Sequence, residues 1–304
     1  MSPSSTPQNN PEPIYTAPSR VSAAPPMTGS PNVSEREYIY FLPHPLPPEA
    51  PVPYTPGLPS TNPLNLTPHT SEPTSTLVLT SPARTFVDLR YLRPASSSES
   101  PLSNPGPLNR LDWGFAGTSH SAPADAPPHK SYGAFARAKW THWVDSRVKV
   151  GDAIPADEGD MYDLGEGLFL EVGHAFHPHL GREAGHEELW RDVDARSTSA
   201  GGSKVCVVLR CADEVRGVRG VIVRVGQYAQ GILGAGEELT TERWEARPEE
   251  GGGGEGAERW ERTARTGDAL LPCSVTFKPE TVQLGGRIRY GALEWVVEET
   301  WEWQ

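Results

Sequence analysis

The chain has 304 residues, 32 of them proline, and a formal net charge of −12. Its Lys and Arg residues are dispersed, with no basic run, which argues against nucleic acid or an anionic membrane surface as the main partner. Cys206, Cys211 and Cys273 have no C-x-x-C spacing, the first residues carry no signal-peptide pattern, and no apolar run reaches membrane-spanning length; a reducing compartment, cytosol or nucleus, is expected.

Residues 1–33 are rich in Pro, Ser and Thr. That composition buries too little apolar surface to offset the entropy of ordering, and it predicts a disordered tail. In 35–42, Tyr38, Tyr40 and Leu42 alternate with Ile39 and Phe41, a strand signature. Residues 43–70 return to proline and read as a mobile insertion loop. Segments 76–80 and 85–92 flank the turn Ser81-Pro82-Ala83-Arg84 as a hairpin. A Ser/Pro loop, 95–107, leads to 111–118, where Leu111, Trp113 and Phe115 share one strand face. A polar loop, 119–131, separates this from 140–147, where Trp140, His142 and Val144 share a face. Segment 167–173 is a short strand, and 181–192 is a strand edge or a short helical turn. The composition of 197–203 is that of a linker and marks a domain boundary. Beyond it, 204–211, 217–228, 238–246, 274–278, 287–290 and 293–303 read as strands; in the last, Leu293, Trp295, Val297, Trp301 and Trp303 are expected on one face. No helical periodicity is sustained. Many short strands between Gly/Pro turns predict an all-β protein, sandwich or barrel.

Several ungapped blocks carry a resemblance. They are Ser71-Glu-Pro-Thr-Ser-Thr-Leu-Val-Leu-Thr-Ser-Pro, Phe86-Val-Asp-Leu-Arg, Leu111-Asp-Trp-Gly-Phe-Ala-Gly-Thr, Trp140-Thr-His-Trp-Val-Asp-Ser, Asp157-Glu-Gly-Asp-Met-Tyr, Glu187-Glu-Leu-Trp-Arg-Asp-Val-Asp and Val221-Ile-Val-Arg-Val-Gly-Gln-Tyr-Ala-Gln-Gly-Ile-Leu-Gly. From about Ser34 to the C-terminus the chain resembles the fungal casein-kinase-I-interacting protein family. The resemblance implies two tandem antiparallel lipocalin-like (calycin-like) β-barrels, at 34–196 (with the Pro-rich insertion 43–70) and 204–304, after the disordered tail and joined by the linker 197–203. It further implies cytoplasmic and nuclear residence, no enzymatic activity, and as partners a casein kinase I homologue and a component of the post-translational endoplasmic-reticulum translocation complex. It supplies no catalytic residues.

The residues themselves offer little catalytic chemistry. His174, His177 and His179, with His186 and Glu187, form the one histidine cluster that could approach a zinc site, but the segment is Pro/Gly-rich and reads as a surface loop. Asp157, Glu158, Asp160 and Asp163 lack the ligand order of a calcium loop and read as a solvated acidic turn. His142 and Asp145 stand three apart and are expected on opposite faces of a regular strand. No G-x-S-x-G elbow supplies a nucleophile. Gly234-Ala-Gly236 and the glycines at 251–254 lack nucleotide-binding spacing. Cys206 and Cys211, five apart, face opposite ways, at least one of them into a core. No metal and no cofactor is assigned.

Two functions compete. The first is a non-enzymatic interaction module whose barrels present surface to a kinase. The second is a barrel whose aromatic lining, Trp113, Phe115 and Trp140, surrounds a small apolar molecule or a haem held by one histidine. An open, apolar interior with one buried histidine would favour the second; a packed interior would leave only the first.

Casein kinase I enzymes favour Ser or Thr a few residues after an acidic or phosphorylated position, and Ser96-Ser97-Ser98-Glu99-Ser100 offers such a series between two strands. Each phosphate adds about −1.5 to −2 charge and primes the next site. In vitro phosphorylation read by mass spectrometry is expected to drop when Ser96, Ser97, Ser98 and Ser100 become Ala; equal incorporation would mark the segment as an ordinary solvated loop.

Overall fold

The computed structural model describes residues 12–19, 25–48, 50–58, 60–96, 102, 104–198, 202–248 and 258–304. About half of the expected tail, Ser97 to Ser100, the centre of the linker and the glycines at 251–254 lie outside the described residues. The strands in chain order are β1 (Ile14–Thr16), β2 (Asn32–Leu42), β3 (Thr74–Thr80), β4 (Thr85–Leu92), β5 (Leu111–Pro123), β6 (Ala136–Asp145), β7 (Asp157–Gly165), β8 (Leu168–His177), β9 (Arg182–Asp192), β10 (Lys204–Asp213), β11 (Val218–Val225), β12 (Tyr228–Ala235), β13 (Glu238–Pro248), β14 (Glu258–Thr266), β15 (Arg287–Tyr290) and β16 (Leu293–Trp303). The fold is all-β, with no α-helix among the described residues.

Strands β2 to β9 close into an antiparallel barrel, each paired with its sequence neighbour and β9 with β2. Alternation assigns the faces. In β4, Phe86, Asp88, Arg90 and Leu92 line the barrel interior, while Val87, Leu89 and Tyr91 face outward into a second core. The second half is an eight-stranded sheet in the order β1-β15-β16-β10-β11-β12-β13-β14.

This corrects the expected second closed barrel, because β1 and β14 stand at opposite edges. Where a strand was expected at 274–278, Cys273–Phe277 is a 3-10 turn. Its chain, with Leu271 and Val282, plugs the concave face formed by Val207, Leu209, Ile222, Trp295 and Val297. The free edge of β14 is met instead by the loop before β5: Gly106 N–H donates to Arg265 O at 3.0 Å, and Asn104 pairs with Arg262.

The two halves share one buried core. The outward face of β3 and β4 packs through Leu77, Leu79, Val87, Leu89 and Tyr91 against Cys206, Val208, Val221, Val223 and Ile232 of the sheet. Polar side chains stitch the seam. Gln230 Nε2 donates to Leu77 O (2.9 Å) and Val87 O (3.1 Å), and Arg243 Nη2 donates to Leu89 O (2.6 Å) and Ser75 O (3.1 Å). Glu299 Oε1 accepts from Ser81 and Thr85 hydroxyls, both at 2.8 Å.

Other differences from the sequence reading have identifiable causes. Part of the expected tail is the edge strand β1, paired with β15. An unpaired sheet edge offers backbone donors and acceptors, and Tyr15 Oη takes the Gln283 N–H at 3.0 Å. The insertion 43–70 packs on the barrel through buried Tyr54 and Thr55, whose backbone N–H groups donate to the Glu187 carboxylate. The expected polar loop begins later, because β5 runs to Pro123. The acidic turn is β7, and 181–192 is β9, a full barrel strand. A bulge at Glu298 splits the aromatic stripe of β16. Leu293, Trp295 and Val297 enter the sheet's own core, and Trp301 and Trp303 pack on the core shared with the barrel.

A fragment of residues 202–304 would expose the apolar face of β10 to β12 and leave Gln230 and Arg243 without their acceptors on the barrel. The full chain is therefore expected to unfold in one cooperative transition, and the fragment to aggregate or give a poorly dispersed NMR spectrum. A monomeric fragment with native-like dispersion would refute this coupling.

Candidate functional site

The barrel encloses a cavity of about 760 Å³. Trp113, Phe115 and Trp140 all line it; Phe115 is buried, while the two tryptophans are half-buried against open space. Short side chains make the room: Ala134, Ala136 and Ala138 with Ser119 and Ser121 form one side of the wall.

The deep wall is charged. Arg36 Nη1 and Arg90 Nη1 both donate to Glu188 Oε1, at 2.7 and 3.0 Å. Arg36 Nε donates to Glu72 Oε2 at 2.7 Å, and Arg90 donates through Nε and Nη2 to Asp88 Oδ2 at 3.0 and 2.9 Å. Burial alone would raise the Glu188 carboxyl, but Arg36 and Arg90 outweigh it and hold the group well below the usual carboxylate range. The Arg90 guanidinium also lies over the rings of Trp113 (5.1 Å), Phe115 (5.4 Å) and Trp190 (5.7 Å). Each carboxylate spends one oxygen on both arginine bonds. Asp88 Oδ1 and Glu188 Oε2 are buried with no hydrogen-bond partner among the described residues.

A second cluster stands beside it. Trp190 Nε1 donates to Glu171 Oε2 at 3.0 Å, His186 Nε2 lies 3.9 Å from Glu171 Oε1, and His186 Nδ1 is 3.2 Å from His177 Nε2. Gly173 leaves space for this imidazole, since a Cβ there would come within 2.8 Å of His186 Nε2. Burial and the neighbouring His186 push His177 down to about 3, so it is neutral. The expected surface loop is thus partly interior: His177 and His186 are buried, His179 lines the cavity, and His174 stacks on His44 at 4.3 Å. Among the described residues no group of three His, Cys, Asp or Glu side chains is placed to hold a metal ion. On β7, Asp157 and Asp163 line the cavity, while Glu158 and Asp160 pair outward with Lys139 (3.0 Å) and Arg137 (2.8 Å). All three cysteines are free and buried.

His142 and Asp145 were expected on opposite faces, yet His142 Nδ1 is 2.8 Å from Asp145 Oδ2. Register explains this. Ala116 pairs with Val144 and Gly117 with His142, leaving Trp143 as an extra, bulged residue that inverts the alternation. Trp143 is half-buried on the second sheet, with the Arg210 guanidinium 4.4 Å over its ring. The bulge brings the strands so close that a Cβ at Gly117 would lie 1.9 Å from Thr141 O. His142 Nε2 reaches Asp157 Oδ2 at 3.0 Å, and Asp145 Oδ1 accepts the Trp113 indole N–H at 2.9 Å.

Sequence reasoning missed Arg36, Asp88, Arg90, Glu171 and Glu188. Phe86-Val-Asp-Leu-Arg did hold a signal: its charges sit at inward spacing with Phe86 in a strand whose other face is apolar.

The arrangement defines a class: an all-β protein in which a closed eight-stranded barrel with a polar-floored cavity is fused side by side to a second antiparallel sheet. The chain belongs to the family described as Protein HRI1, whose model matches residues 60–299. Its fold is similar to the crystal structure of an uncharacterized protein, YLR301w, from Saccharomyces cerevisiae, at a TM-score of 0.59 and 17% identity over 89% of this chain and 99% of that one. No curated protein matches the sequence.

Burial would lower the imidazole of His142, but its hydrogen bonds to Asp145 and Asp157 prevail and raise it above the usual 6.5. A raised folded-state value stabilises most below about pH 6.5 and loses that contribution as pH rises through the folded value. Urea unfolding of wild type and His142→Gln between pH 5.5 and 9 is expected to show the largest gap at the acid end. A gap that is constant or widens with pH would contradict a charged His142.

Proposed function

We propose that this protein is a non-enzymatic binding protein whose barrel takes up one small ligand. The observation that carries the reading is the open interior: small barrels are either filled by side chains or hold one small molecule, and this one keeps about 760 Å³ free among aromatic walls. Both ring nitrogens of His142 are engaged by carboxylates, and His186 is held between His177 and Glu171, so an axial bond to a haem would have to come from His120, His177 or His179, which also line the cavity.

The resemblance in the quoted blocks supports a second, compatible reading. In it the protein is a cytoplasmic and nuclear partner of a casein kinase I homologue and of an endoplasmic-reticulum translocation component, binding through outer faces of the barrel that the second sheet leaves uncovered. The same reading takes the second sheet as an opened counterpart of the lipocalin-like barrel. Its meander β10 to β14, with β16 returning beside β10, supports that relation. No helix among the described residues is long and apolar enough to cross a membrane.

The neutral apolar dye N-phenyl-1-naphthylamine is expected to gain fluorescence on the full chain, saturably and at one site. Ala138→Trp, which fills the lumen from the small-residue wall, is expected to abolish the gain while the circular dichroism of the fold persists. Absence of saturable uptake by the wild type, or uptake that Ala138→Trp leaves intact, would overturn the reading.

A further inference from the structure

The deep wall of the cavity restricts the chemistry of what it holds. The donors of Arg36 are directed to Glu72, Glu188 and Thr74, and those of Arg90 to Asp88 and Glu188. An anionic head group arriving there would compete for guanidiniums that are already neutralised. Acceptors are what remain: Asp88 Oδ1 and Glu188 Oε2 belong to carboxylates nearly shut off from solvent, and neither oxygen has a partner among the described residues. A buried carboxylate oxygen without a donor is costly, and a charge-assisted hydrogen bond is the strongest way to satisfy it. The balance over the whole cavity points the same way, since seven lining residues are Asp or Glu and four are Arg. The aromatic rings around Arg90 already carry that guanidinium over their faces, and what they offer a ligand is apolar surface for a hydrocarbon body.

We infer that the barrel is built for an amphiphilic amine: an apolar body against Trp113, Phe115 and Trp140, and a protonated primary amine that donates to Asp88 and Glu188. This rests on the ligand-binding reading of the same cavity. The head group must be a donor as well as a cation, because cation–π attraction alone would leave both oxygens unsatisfied.

Three probes of one chain length separate these requirements by isothermal titration on the full chain. Dodecylamine supplies charge and donors, dodecyltrimethylammonium supplies charge without donors, and dodecanoate supplies an anion. All are used below their critical micelle concentrations. Dodecylamine is expected to bind one to one, at least tenfold more tightly than either of the others. Asp88→Asn and Glu188→Gln, checked for folding by circular dichroism, are each expected to weaken dodecylamine at least tenfold. Tighter binding of dodecanoate would overturn the amine assignment, and equal binding of the quaternary cation would overturn the donor argument. If no probe binds while N-phenyl-1-naphthylamine still does, the head-group chemistry is wrong and the binding barrel stands; if the dye also fails, the cavity reading falls with it. Should either variant fail to fold, the three wild-type affinities decide.

Discussion

Arg243 is buried, and its hydrogen-bond partners include no carboxylate. Its donors go to Leu89 O, Ser75 O, the Ser75 hydroxyl and Gln230 Oε1, and its guanidinium lies 5.1 Å over the ring of Tyr91. Burial pushes its pKa down, as expected for a cation removed from water. Burying a cation is tolerated only where dipoles replace its hydration. Here all the dipoles but that of Gln230 come from β3 and β4 of the barrel, while the guanidinium comes from β13 of the sheet. The contact therefore exists only when the two halves are docked, and with Gln230 it fixes their relative register.

That docking determines the character of β4. Seven of its eight residues are buried, because the sheet covers its outer side while the barrel encloses its inner one. A strand shielded on both sides places Asp88 and Arg90 in a low-dielectric setting, where pairing is strong and an unpaired oxygen is expensive. The polar floor of the cavity thus depends on apolar packing behind it, through Val87, Leu89 and Tyr91.

Two bulges direct the remaining chemistry. At Trp143 an extra residue turns an indole onto the second sheet and lets His142 and Asp145 meet inside the barrel, where Gly117 gives the backbone its close approach. At Glu298 the inversion divides the β16 aromatics between two cores and turns Glu299 toward the hydroxyls of Ser81 and Thr85. Both bulges serve the seam between the halves, consistent with their use to re-aim side chains.

The sequence by itself determined the all-β class, the β3–β4 hairpin, β15 and β16, and the common face of Trp113 and Phe115. Each of these rests on local alternation and turn chemistry. It also placed Cys206 and Cys211 on opposite faces, where they fill the two cores. Only the tertiary structure decided that one half closes while the other remains an open sheet, that Ile14 to Thr16 completes an edge, and that a proline-rich insertion is anchored by Glu187. The pairing of Arg36, Asp88, Arg90 and Glu188 also belongs there. Arg36 and Glu188 lie on β2 and β9, more than 150 residues apart in the chain, and become neighbours because barrel closure pairs the first strand with the last. Alternation tells which way a side chain points along one strand. Which other strand stands opposite it depends on closure, and a single extra residue in a ladder reverses the face of everything beyond it.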